Sequence, residues 1–181
     1  ISYQITGIAP FTDLPFATVG NDFTLPRTIL SPSLIESYRT IVFSVGEKLQ
    51  HEGWRGGFGI DVIADLKKEK LYLLEINARQ TASMTYESKL QVKESSQPHT
   101  ITMFDTHLAA VLGLDLSKKI PQQLTKGAQI IQRVTEKRSF IDQAIIDSIS
   151  KQADNVMYTP GGEPGSDLLR IQVSEPLLQS H

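Results

Sequence analysis

The stretch Gly56–Arg79 reads GGFGIDVIADLKKEKLYLLEINAR and decides the fold prediction for this chain. Two runs rich in Ile, Val, Leu and Tyr, Phe58–Asp65 and Leu71–Asn77, flank the short polar segment Leu66–Lys70. Apolar runs separated by a short polar loop are typical of paired strands. We therefore predict an antiparallel hairpin over residues 56–79.

The two carboxylates of this hairpin are predicted to face each other. If the turn centres on Lys68, Asp61 lies opposite Glu75, and facing Cβ atoms in a sheet are roughly 5 Å apart. Because side chains alternate along a strand, Leu73 and Asn77 share the face of Glu75. Like charges directly opposite each other destabilise a sheet, so a cation is expected to compensate. Asp, Glu and Asn oxygens are ligands that Mg²⁺ accepts. The spacing predicts a divalent-cation site.

The pattern alone leaves two other interpretations open. The hairpin could be a solvated antiparallel pair whose polar face points at water, as is common when one side of a sheet is exposed. Alternatively, Arg79 and the basic turn could neutralise the two carboxylates without any metal. A family resemblance favours the metal site over both.

The strings GFGIDVI at 57–63 and YLLEINAR at 72–79 resemble the metal-binding hairpin of the ATP-grasp superfamily. The signature of that superfamily is an acidic residue on one strand, followed by Glu-hydrophobic-Asn-x-Arg on the next. The resemblance implies an α+β fold in which helices pack on an antiparallel sheet, as in the C-terminal lobe of an ATP-grasp domain.

The same resemblance assigns roles to individual residues. It implies that Asp61, Glu75 and Asn77 hold Mg²⁺ (or Mn²⁺) and thereby belong to the ATP site. It implies that Arg79 is the catalytic residue near the transferred phosphate or the acyl substrate. Two departures are mild: the superfamily often has Pro where this chain has Ala78, and many members have Glu at the position of Asp61.

The implied activity is that of a carboxylate-amine or carboxylate-thiol ligase acting on a small-molecule carboxylate and a nucleophile. The family's phosphate-covering loop, nucleotide lysines and adenine segment lie upstream of the hairpin, and Ile1–Trp54 contains no recognisable counterpart. We therefore expect this chain to be a fragment that works with a missing N-terminal portion of the same polypeptide. The alternatives are a non-catalytic ATP-grasp-like binding or scaffold module and a plain α+β interaction domain.

Composition excludes several classes of protein. The 181 residues are 40% hydrophobic and 21% charged, as in ordinary globular proteins. A net charge of −2 gives no indication of nucleic acid or a membrane surface as partner. The chain has no cysteine, which excludes disulfides, thiolate zinc sites and cysteine nucleophiles. No apolar run approaches the roughly 20 residues of a membrane helix, so a cytoplasmic location is expected. The oligomeric state, including a homo-oligomer, stays open.

The remaining chain is predicted from periodicity and caps. His107 is expected to be a surface or capping histidine, because no second histidine lies at the i+4 spacing of a zinc helix. Residues 1–117 are predicted to form the lobe that carries the hairpin, and residues 118–181 an appended strand-helix-strand subdomain. The predicted elements are a strand at Ile1–Gly7, a strand-like piece at Phe23–Leu25, a helix capped by Ser33 with Glu36 and ending at Gly53, an exposed loop or marginal helix at Met84–Gln97, a helix from Thr100 to Gly113, a linker at Lys118–Lys126, a strand at Gly127–Val134, a helix capped by Ser139 and a strand at Leu168–Val173.

Overall fold

A computed structural model of the chain describes residues 1–95 and 97–178; residue 96 of the predicted loop and residues 179–181 of the predicted subdomain lie outside this part. The elements in chain order are β1 (Tyr3–Thr6), β2 (Thr18–Asp22), α1 (Leu25–Ile29), α2 (Pro32–His51), β3 (Gly59–Asp65), β4 (Lys70–Asn77), α3 (Met84–Glu94), β5 (Thr100–Ile101), α4 (Met103–Val111), β6 (Ile120–Pro121), β7 (Ala128–Arg133), α5 (Gln143–Ser150), β8 (Asn155–Tyr158) and β9 (Asp167–Val173). This mixture of helices and antiparallel pairs confirms the predicted α+β class.

The backbone divides into two compact units, and the division differs from the predicted boundary after residue 117. One unit combines Ile1–Ile29 with the chain from Thr125 onward, and the other comprises Leu30–Leu124. The cause is strand pairing, because β2 lies between β1 and β7 in one sheet. The N-terminal strands therefore join the C-terminal unit rather than the unit that carries the hairpin.

The first unit is built on a five-stranded antiparallel sheet in the order β1-β2-β7-β9-β8. The predicted strands at Gly127–Val134 and Leu168–Val173 correspond to β7 and β9, and the strand at Ile1–Gly7 to β1. Apolar side chains from β9, from α5 and the segment before it, and from the residue that follows β7 form the core of this unit. They are Val134, Ile141, Ile146, Leu168 and Leu169.

The second unit consists of α2, the hairpin β3–β4, and the helices α3 and α4, which pack against each other. Helix α2 also packs against β4. The short strands β5 and β6 pair in parallel, so part of the predicted linker at Lys118–Lys126 is extended backbone within this unit. None of the helices in the described residues is long and apolar enough to cross a membrane.

Helix α2 begins at a different cap from the predicted one. Ser31, not Ser33, is the N-cap, and its side chain accepts a hydrogen bond from the Leu34 amide at 3.2 Å. Proline at the first helical position has no amide that needs a partner, so Pro32 fits directly after this cap. The helix ends before Gly53, whose φ of +85° allows the chain to turn away.

Three further predictions are wrong in detail. The strand-like piece at Phe23–Leu25 instead leads into α1, because the buried Asp22 carboxylate accepts hydrogen bonds from the Thr24 and Leu25 amides. Asp142 rather than Ser139 caps α5, accepting from the Ala144 amide at 2.8 Å. The segment predicted as an exposed loop or marginal helix is α3, with five buried side chains: Met84, Tyr86, Ser88, Leu90 and Gln91.

Candidate functional site

The hairpin β3–β4 brings the predicted carboxylates together. The two strands pair antiparallel, with Asp61 directly opposite Glu75 and Gly59 directly opposite Asn77. Residues directly opposite each other in a sheet project to the same face. The predicted pairing is therefore confirmed, and Asp61, Glu75 and Asn77 lie on one face of the hairpin.

A β-bulge changes the pairing immediately beyond this site. Asp61 pairs with Glu75 but Val62 pairs with Leu73, which leaves Leu74 as an extra residue in β4. The prediction that Leu73 shares the face of Glu75 is wrong, because the bulge shifts the alternation by one residue. Tyr72, paired with Ile63, takes that face instead. Bulges of this kind are frequent beside active sites, where they re-aim side chains.

The surroundings of Asp61 disfavour the ionised form of its carboxyl group. Its side chain is half-buried, and this burial raises the pKa of the carboxyl group above its ordinary value. The charge of Glu75 across the hairpin raises the pKa further, while the Arg79 guanidinium opposes both effects. Two carboxylates that disfavour each other's charge form a site where a bound cation would be stabilising.

Arg79 turns back over the end of the hairpin. Its Nη2 donates to the side-chain oxygen of Asn77 at 3.0 Å, and its Nη1 donates to the Gln80 carbonyl at 3.2 Å. The Arg79 guanidinium is thus held at one end of the face that carries the two carboxylates. An amide oxygen has two lone pairs, so the oxygen of Asn77 keeps one for a metal.

The donor set fits a hard divalent cation. Two carboxylates and one amide are the oxygen ligands that Mg²⁺ takes, with water completing its octahedron. Within residues 1–95 and 97–178 no group of three or more His, Cys, Asp or Glu side chains is arranged to hold a metal. The predicted set has only two such residues, and its third ligand is Asn77.

The glycines that precede Asp61 are approached by side chains. A Cβ on Gly59 would lie 2.6 Å from Cγ2 of Thr81, and one on Gly57 would lie 2.8 Å from Cε of Met84. These glycines allow Thr81, which precedes α3, and Met84, the first residue of α3, to pack against the segment that leads to Asp61.

Three residues near the hairpin were not predicted from the sequence to belong to the site, although His107 was predicted to be a surface or capping histidine. Burial raises the pKa of the Tyr38 hydroxyl on α2, and the negative charges of Asp61 and Glu87 raise it further. Burial also raises the pKa of the Glu87 carboxyl. Glu87 was predicted to lie in an exposed segment. The helical spacing of the apolar residues in α3 is the sequence feature that could have predicted its burial. The third residue, His107, accepts a hydrogen bond from the Gly57 amide.

Sequence comparison gives one curated relative. Over 78 residues the chain is 36% identical to the butirosin acyl-carrier protein–L-glutamate ligase of Niallia circulans. The match covers 43% of this chain and 18% of the relative, so the chain spans less than a fifth of that protein. No family model matches the chain.

Solved structures resemble the chain over a larger part of its length. The phosphoribosylaminoimidazole carboxylase ATPase subunit from Aquifex aeolicus has a TM-score of 0.60 at 10% identity, covering 97% of this chain and 47% of that chain. The carboxyaminoimidazole ribonucleotide synthase from Aspergillus clavatus, complexed with ATP, has a TM-score of 0.52 at 15% identity, covering 88% and 38%. At these identities the likeness establishes a shared fold.

Proposed function

We propose that the chain, which shares its fold with these structures, belongs to the ATP-grasp superfamily and is the metal-binding part of an ATP-dependent ligase. The proposed reaction activates a carboxylate as an acyl phosphate, which an amine or similar nucleophile then attacks. The observation that carries the proposal is the pairing of Asp61 with Glu75, with Asn77 on the same face. The ligase relative and the ATP-bound structural neighbour support it.

Asp61, Glu75 and Asn77 would hold Mg²⁺ or Mn²⁺. A divalent ion held by these residues would supply positive charge to offset the negative charge that develops in phosphoryl transfer. The chain's own contribution is to hold two carboxylates and an amide oxygen on one face of the hairpin. Burial and then the charge of Glu75 raise the pKa of Asp61, and both disfavour the ionised carboxylate that an added positive charge would stabilise.

Arg79 would stabilise the acyl phosphate or the carboxylate from which it forms. Arginine is suited to this task because its planar guanidinium pairs with both oxygens of a carboxylate or phosphate. Its contacts with Asn77 and the Gln80 carbonyl hold the guanidinium beside the proposed metal ligands. In the reaction, a carboxylate oxygen attacks the γ-phosphorus and ADP leaves. The nucleophile then attacks the acyl carbon, and phosphate leaves.

The hairpin's exposed apolar residues support the proposal that more of the same polypeptide completes the site. Six large apolar side chains of the hairpin and its turn are substantially exposed: Ile63 at 53%, Leu66 at 47%, Tyr72 at 47%, Leu73 at 42%, Leu74 at 62% and Ile76 at 45%. An isolated two-stranded hairpin is marginally stable, and a hydrophobic face normally packs against further strands or a helix. The proposed N-terminal portion would cover these side chains and supply the remaining nucleotide contacts.

A non-catalytic binding or scaffold module is the second candidate. It is favoured by one observation, that Ile1–Trp54 contains no recognisable phosphate-covering loop. The two candidates differ in turnover, because a scaffold would bind the nucleotide without releasing ADP. Acceptor-dependent ADP release by the full-length protein, screened with carboxylates and amines, distinguishes them.

The metal site is tested by Mn²⁺-dependent ADP binding to the full-length protein, measured by calorimetry. We expect binding to require the metal and to weaken at least about tenfold, or about 1.4 kcal/mol, in Glu75→Gln. Asp65→Asn is the matched control, because it removes a carboxylate from the same hairpin that pairs with Lys68 rather than with Glu75. Equal binding by wild type and Glu75→Gln would remove the hairpin from the proposed site.

A further inference from the structure

The segment between α2 and the hairpin is fixed by a histidine fifty residues further along the chain. The backbone amide of Gly57 donates to Nδ1 of His107 at 2.9 Å. A backbone amide is always a donor, so Nδ1 must present its lone pair. The imidazole is therefore neutral, with its proton on Nε2.

Two adjacent glycines make this contact sterically feasible. Gly56 has a φ of +127°, a conformation that L side chains rarely adopt. A Cβ at Gly56 would lie 2.9 Å from Nδ1 of His107 and 3.2 Å from Cγ2 of Val111. The edge of the imidazole thus occupies the space that a side chain at Gly56 would need.

Helix α4, which carries His107, is itself held by buried side chains of α3. The hydroxyl of Ser88 accepts from the Phe104 amide at 2.9 Å, and the side-chain oxygen of Gln91 accepts from the Met103 amide at 2.8 Å. Gln91 also donates to the Gln122 carbonyl at 2.5 Å. The first turn of α4 is therefore anchored at two backbone donors, and His107 lies one turn further along the helix.

We propose that His107 is a positioning residue for the metal site: its Nδ1 fixes the Gly56–Gly57 turn, from which β3 extends to Asp61. This inference rests on the proposed function of the hairpin. Asp61 lies four residues beyond Gly57 on a strand that, within the described part of the chain, pairs with β4 alone. A fixed origin for β3 keeps Asp61 opposite Glu75, where one bulge already breaks the regular pairing.

The test compares two substitutions of His107 in the full-length protein. In His107→Asn the side-chain oxygen takes the position of Nδ1 and can accept the same hydrogen bond. His107→Leu has a similar extent but no acceptor. His51→Asn is the control, because the His51 side chain is 82% exposed at the end of α2. Two quantities are measured: Mn²⁺-dependent ADP affinity by calorimetry and hydrogen exchange of the Gly57 amide by NMR.

We expect His107→Leu to lose protection of the Gly57 amide and to bind ADP with Mn²⁺ roughly tenfold more weakly, the lower range for removing an outer-sphere partner of a metal site. His107→Asn and His51→Asn should bind within about twofold of wild type. The Asn variant keeps the test informative if His107→Leu does not fold. Affinity lost equally in the Asn and Leu variants would overturn the inference, because the acceptor would then not matter.

Two other results separate this inference from the proposed function. If wild type and His107→Leu bind ADP with Mn²⁺ equally well, the hairpin site stands and the positioning role is overturned. If wild type shows no metal-dependent binding, the proposed function fails, and the inference built on it fails with it.

Discussion

The five-stranded sheet and the hairpin both carry facing polar side chains. These side chains bond to one another in the sheet, whereas they repel each other in the hairpin. In the sheet, Asn21, Gln129, Gln172 and Asn155 occupy facing positions on β2, β7, β9 and β8. Successive members are joined by hydrogen bonds of 3.0, 3.4 and 2.8 Å. In the hairpin, the facing pair is two carboxylates that cannot satisfy each other.

The difference separates a polar row whose members bond to one another from a charged pair whose members repel each other. Neutral amides donate and accept in turn, so a row of them, buried at Gln129 and Gln172 and half-buried at its two ends, stabilises the sheet without a ligand. Facing carboxylates are acceptors only, and their charges raise the free energy of the fold until a cation binds. Substitutions should therefore destabilise the sheet and stabilise the metal-free hairpin.

The largest effect is expected where the sheet unit holds its buried carboxylate. Asp22 is fully buried and accepts hydrogen bonds from four backbone amides, those of Thr24, Leu25, Leu177 and Leu178. Asp22→Ala leaves these donors unpaired and should lower the free energy of unfolding by about 4 kcal/mol. Urea denaturation measures the loss. Asp22→Asn, which keeps one oxygen, should lose less, and an equal loss in both variants would contradict this explanation.

A smaller loss of stability is expected when the row of amides in the sheet is interrupted. Gln129 is 1% exposed, and its oxygen accepts from Arg170 at 3.1 Å as well as from Gln172. Gln129→Ala should lower the free energy of unfolding by about 3 kcal/mol, because a buried guanidinium contact and two amides lose their partner. Gln123→Ala, at an exposed position outside the row, is the control in the same urea experiment. A change below about 1 kcal/mol would mean that the row is dispensable.

The hairpin should respond with the opposite sign. Without metal, Glu75→Gln removes one of two facing charges and should raise the free energy of unfolding by about 0.5 kcal/mol. Thermal unfolding in the presence of a chelator measures this change. With saturating Mn²⁺ the order should reverse, since only the wild type gains the binding energy of the metal. A metal-free loss of stability in Glu75→Gln would show that the carboxylate pair is a structural feature.

The smallest effect concerns pH. The folded chain raises the pKa of Asp61, so its destabilising charge is present above the raised value and is relieved as the pH falls toward 3.8. Relative to Asp61→Asn, the wild type should gain roughly a few tenths of a kcal/mol between pH 7 and pH 4, because solvent screens this half-exposed group. Urea unfolding at both pH values checks the sign. A relative loss on acidification would mean that Asp61 is favourably paired in the fold.

Local pairing was predictable from the sequence, whereas distant pairing was not. The facing of Asp61 and Glu75 follows from a short turn and the two-residue period of a strand. The bulge at Leu74 could not be predicted, because a run of apolar residues reads the same with or without an extra one. The unit boundary was missed because Asn21 bonds to Gln129, 108 residues away, and no local pattern encodes that contact.

The same limit applies to the candidate site, where contacts between distant segments could not be predicted. Asp61, Glu75, Asn77 and Arg79 carry a spacing that the sequence displays directly. Glu87 and His107 lie near the hairpin or its leading segment only because α3 and α4 pack together. Their apolar neighbours in the sequence indicate helices, but not what those helices contact.

Paramagnetic broadening of amide signals by Mn²⁺ would show, in one NMR spectrum, whether the metal binds at the hairpin or at the five-stranded sheet. In a titration of the chain, amide signals around Asp61, Glu75 and Asn77 should broaden first, while those of Asn21, Gln129 and Gln172 stay sharp, and Glu75→Gln should abolish the difference. Broadening that spares the hairpin, or that persists unchanged in Glu75→Gln, would contradict the assignment of the facing carboxylates as the metal site.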